Sequence, residues 1–149
     1  MESITLALME RIKEKMPQLR YIDEDYGQLD FRDDQYPVIA PAVLINIDET
    51  DWTTESAVRP TIQSGSTQVT LKLVLECYDD THIDSTTEHK IEERAEQARQ
   101  SFRAVQGFKL NSKMSPMTRI KSRDYAVGGN LKVYETVFEF LQRELLARE

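Results

Sequence analysis

The chain has 149 residues, 40% of them apolar and 30% charged, with a formal net charge of −7. A chain of that length buries roughly two-thirds of its unfolded surface on folding and needs no staple, and its acidic balance disfavours a general nucleic-acid binder. The lone cysteine, Cys77, excludes an intramolecular disulfide, no stretch approaches the ~20 apolar residues of a membrane span, and Met1-Glu2-Ser3-Ile4 lacks the basic and apolar runs of a signal peptide, so a cytosolic protein is expected.

Residues 3–16 read as a helix. Ser3 is placed to cap it, Ile4, Leu8, Ile12 and Met16 recur at helical spacing, and Pro17 stops it. A short extended piece is expected from Leu19 to Asp23, followed by an acidic loop over 23–35. The run Ala42-Val43-Leu44-Ile45-Asn46-Ile47 is apolar on both faces, the pattern of a strand covered on both sides by helices or by a neighbouring subunit. Residues 49–66, polar apart from Trp52 and a few aliphatics, read as a long loop or the arm of a hairpin.

Gln68 to Tyr78 is the clearest strand. Val69, Leu71, Leu73, Leu75 and Cys77 alternate with Thr70, Lys72, Val74 and Glu76. A long helix is expected over 84–106, capped by Asp84 or Ser85, with Ile91, Ala95, Ala98, Phe102 and Val105 as its apolar stripe and Gly107 as its stop. Two strands then close the chain, 117–126 and 131–142, joined by Gly128-Gly129-Asn130, which supplies the positive φ values of a tight hairpin. The last strand carries apolar residues on both faces, which suits a subunit interface or a place between packed layers. The fold class is α+β: a single domain over 1–149, with a mostly antiparallel sheet of about four strands packed against an N-terminal and a long central helix.

Charge is unevenly spread. Residues 21–51 hold nine acids, Asp33 and Asp34 among them, against the single base Arg32, whereas residues 99–149 hold ten bases and five acids. Opposite poles suit head-to-tail contact between identical subunits, and also suit two solvated faces. Arg119, Lys121 and Arg123 alternate along the first closing strand as a basic stripe, able to meet phosphates or a neighbour's acids, with Tyr125 on the same side. Trp52 in its polar surroundings reads as an interface anchor or as a lid folded over the core.

No catalytic machinery is expected. Asp79, Asp80, His82 and Asp84 cluster at the strand-to-helix connection, where a polar turn and a helix cap account for them better than a metal does. Cys77 alternates with Leu75 and Leu73, as a small buried hydrophobe does, and lacks any nucleophile motif around it. Phosphate-binding glycine signatures and the Gly-x-Ser-x-Gly elbow are absent from the sequence, and no cofactor is expected.

In the order and length of its elements the chain resembles the tail-terminator and tail-completion (minor tail, neck) proteins of long-tailed bacteriophages and prophages. The likeness runs from helix Ile4–Met16 through Tyr36-Pro37, the apolar strand Ala42–Ile47 and the long polar insertion to strand Val69–Tyr78, helix 85–106 and the hairpin at Gly128-Gly129. The resemblance implies a homo-oligomer, a hexameric ring that caps the tail tube and joins it to the head or neck, with DNA passing through it and no catalytic residues. It places the protein in the bacterial cytoplasm or in the virion. Trp52, Arg119, Lys121, Arg123, Asp33 and Asp34 are the candidate interface residues. The alternative reading is an anion- or nucleic-acid-binding module built on the basic strand 119–123.

Overall fold

A computed structural model describes residues 2–30, 38–55, 62–78 and 81–145. Helix α1 (Glu2–Lys15) leads into the short strand β1 (Tyr21–Glu24) and a single 3-10 turn (Gln28–Asp30). Then come β2 (Ala42–Thr54), β3 (Ile62–Glu76), helix α2 (Lys90–Val105), β4 (Thr118–Val127) and β5 (Leu131–Leu145). All five strands form one sheet in the order β1-β2-β3-β5-β4. β1 runs parallel to β2, and every other neighbouring pair is antiparallel. The sheet thus has one strand more than the sequence pattern suggests. The added strand, β1, falls on the short extended piece expected from Leu19 to Asp23 and joins the sheet as Tyr21–Glu24.

Both helices lie on one face of the sheet. Ile4, Leu8, Ile12 and Met16 form the buried stripe of α1, as their spacing requires, and meet Val43 and Ile45 of β2, Leu71 and Leu73 of β3, and Phe138 and Phe140 of β5 in one core. Each such side chain, fully buried, contributes about 1.5–3 kcal/mol. Arg11 ties the helices together, its Nε donating to the Ala104 carbonyl at 2.6 Å.

α2 departs from the expected outline in two ways. It starts at Lys90 rather than Asp84: Asp84 sits at φ 66, outside helical geometry, and turns occupy 86–89. Its buried residues are Arg94, Ser101, Ala104 and Val105, while Ile91 is half exposed. The helix is therefore rolled away from the Ile91–Ala95 edge of its apolar stripe. It stops where predicted, at Gly107 with φ 81.

One end of the second face of the sheet is filled from within the chain, while Leu141 on the same face is 51% exposed. The crossover from β1 to β2 lays Leu29, Val38 and Ala40 against Ala42, Val74 and Val133, with Tyr21, Tyr125 and Val127 around them. This corrects the idea that the two-sided apolar strands call for a neighbouring subunit: Ala42, Val43, Leu44 and Ile45 are all buried by their own chain, as are Val133 and Val137. Two polar devices fix the turn after β1. Gln28, fully buried, accepts from the Tyr26 amide and donates to the Glu24 carbonyl. Lys72 reaches across the same face to Asp25 at 2.8 Å. Burial alone pushes the Lys72 pKa down, and the hydrogen bond and charge of Asp25 outweigh it, leaving the ammonium above its ordinary value.

Candidate assembly interface

The polar stretch 49–66 is a hairpin arm in most of its length. After a bulge between Ile47 and Thr50, Thr50–Thr54 pair with Thr67–Gln63, and the same residues of β3 pair on their other side with Phe140–Glu144 of β5. The sheet thus continues past its helix-covered body as a three-stranded ribbon. β1 pairs only with Ala42–Ile45, so the outer half of β2 is an open edge among the described residues. On the far side of the ribbon the chain before β4 closes the edge: the Ser115 amide donates to the Leu141 carbonyl and the Arg143 amide to the Lys113 carbonyl.

Trp52 lies on the helix-side face of this arm, opposite Gly65, and is 41% exposed. Glycine is needed there for space. A Cβ on Gly65 would come within 2.9 Å of the indole and 2.7 Å of the Thr50 methyl. Beside it the Thr50 and Thr67 hydroxyls share a hydrogen bond at 2.7 Å. Trp52 is therefore seated on the ribbon with part of its ring in solvent, and does not fold back over the core.

Asp48 and Glu49 occupy the bulge and Asp51 follows it; together with Ser66 and Gln68 they line an open depression. Asn46 donates to Asp48 at 2.6 Å. None of the three carboxylates has an ion pair among the described residues, so this edge of the sheet carries unopposed negative charge.

β4 is the opposite edge of the sheet, and most of its ten residues are exposed. Its basic residues do not form the single stripe the alternation predicts. A bulge between Arg119 and Lys121 turns Arg119 to the helix side, where its guanidinium stacks 4.0 Å above the Phe102 ring. Lys121 and Arg123 remain on the other face with Tyr125. Arg123 is held by Glu135 at 2.8 Å and lies over the Tyr125 ring, while Lys121 has no ion pair among the described residues. The basic residues are thus split between two faces, with Arg123 already paired, so a phosphate backbone tracking one face of this strand would meet fewer free cations than strict alternation predicts.

The remaining sequence candidates lie partly outside the described residues. Asp33, Asp34, Asp79 and Asp80 lie outside the described residues. Cys77 falls just past β3 and is partly exposed rather than buried, with its amide donating to the Asn130 carbonyl. His82 is exposed in the following turn. Among the described residues no three His, Cys, Asp or Glu side chains are arranged to hold a metal, and no helix is long and apolar enough to cross a membrane. The acidic arm edge was missed in the sequence. Asp48, Glu49 and Asp51 were visible as charge, but nothing in their spacing places them opposite β4.

No protein-family model matches the chain, and no curated protein does. Among solved structures it is similar to a chain of "Virion of native gene transfer agent (GTA) particle", at 9% identity over 94% of each chain with a TM-score of 0.47. A likeness of that degree fixes neither fold nor function.

Proposed function

We propose that this chain is a structural protein of a phage-like particle, whose copies join head to tail into a closed ring. The observation that carries the reading is the opposite charge on the two outer edges of one sheet. Asp48, Glu49 and Asp51 mark the open edge of the β2 arm, and Arg119 and Lys121, neither with an ion pair among the described residues, mark the two faces of β4. Two different surfaces that complement each other make a heterologous contact, and such a contact closes into a ring when its rotation permits. Opposed potentials steer the approach and set its direction. Exposed Trp52 on the arm supplies an aromatic anchor.

The place in the particle follows from the resemblance in element order: a ring of six at the end of the tail tube, meeting head or neck proteins, with no reaction of its own. Size-exclusion chromatography with light scattering, joined to negative-stain images, tests it. A closed ring at low salt that loosens as salt screens the edges is the expected result. A monomer at every concentration would refute the proposal.

A further inference from the structure

A second site lies at the opposite end of the sheet from the arm, and stands whether or not the chain assembles. The N-terminal half of α2, the end of β3 and Pro41 enclose a pocket of about 210 Å³. Arg94 lines it and is only 8% exposed. Its Nε is buried without a hydrogen-bond partner, and the guanidinium has no ion pair among the described residues. Gln97, three residues on and so on the same helix face, also lines the pocket with a buried, unpartnered side-chain oxygen. A buried guanidinium N–H without an acceptor is costly, and arginine's donor fork matches a carboxylate in shape. Turning the Gln97 amide over presents its NH2 where the oxygen now lies, so that both residues donate to one anion.

The pocket's other charges narrow the class of ligand. Lys90 is already engaged by Glu93 at 3.2 Å, and Glu76 stands at the wall. With Lys90 and Arg94 set against Glu76 and Glu93 the lining is formally neutral, which tolerates a singly charged carboxylate better than a phosphate dianion. We infer that the Arg94–Gln97 pocket is a carboxylate-binding site, filled by a free carboxylate or by an acidic side chain of a second copy.

The test follows the Arg94 Nε–Hε resonance of the full chain by NMR, assigned by its loss in Arg94→Lys, or in Arg94→Met should the lysine variant not fold. A saturable shift on adding acetate, weaker with inorganic phosphate and absent with chloride at equal ionic strength, is the expected result and assigns a free carboxylate. A shift that grows with protein concentration in the absence of added anion, and that added acetate reverses without changing the mass in solution, supports the site with its carboxylate coming from a second copy. A resonance that answers neither acetate nor protein concentration, or answers chloride as strongly, overturns the inference.

Discussion

The body and the arm are built from the same three strands, yet different forces hold them. In the body β2, β3 and β5 pair through Val43, Leu71, Leu73 and Phe138, all buried under helices. In the arm beyond Phe140 the same strands pair through Thr53, Ser64 and Gln142, with Trp52 over Gly65 as a large apolar contact. The ladder alone carries the strands outward, seeded by a body that has already fixed their register. An extension of this kind adds little to stability and leaves its edges and faces free for contact, as expected of the low-stability end of a fold.

That contrast can be broken residue by residue. Phe138→Ala opens a cavity in the body and is expected to cost about 3–5 kcal/mol in denaturant unfolding; a loss under 1 kcal/mol would mean the body is not the anchor. Asp25→Asn leaves Lys72 without its carboxylate on the second face, where both side chains are largely buried. The expected loss is about 1–3 kcal/mol, present at neutral pH and disappearing in strong alkali. The sign follows from Lys72 being raised by its partner: its contribution is whole below the ordinary lysine pKa and is lost as pH rises through the folded value.

Gly65→Ala strikes the arm alone. The new methyl displaces Trp52, so indole emission should shift to the red and amides 50–54 and 63–67 should exchange faster. Because the indole can yield toward solvent, global stability should fall by about 1 kcal/mol or less. Matching loss of protection at residues 42–47 would show that arm and body unfold as one unit.

The smallest effect is a titration. Tyr21 is pushed up to about 12 by hydrogen bonds with Tyr26 and then Asp23. Its contribution is present below the ordinary phenol value and fades as pH rises through the folded one. An ultraviolet titration should show a late phenol ionisation, and Asp23→Asn should move that phase to lower pH.

Much of the body was legible because its pattern is set by burial. The i, i+4 stripe of α1, the alternation of β3 and the glycine turn between β4 and β5 each report directly on a buried face or a positive φ. Where burial is weak the pattern is silent. Thr and Ser in the arm read as loop because both faces there are polar, and pairing leaves no trace in one strand's composition. The bulge at Ile120 moved Arg119 to the other face, and a single inserted residue is invisible to any count of alternation. Nor does the spacing of α2 announce Arg94 and Gln97. Both read as the solvated side of a helix until β3 and Pro41 are seen to close over them.

The claim that the two charged edges meet is tested most directly by exchanging their charges and measuring mass in solution at low salt. Asp51→Lys alone and Lys121→Glu alone should each shift the assembly toward monomer, and the two together should restore it. Single reversals that leave the mass distribution unchanged, or a double variant as dissociated as either parent, would contradict the account.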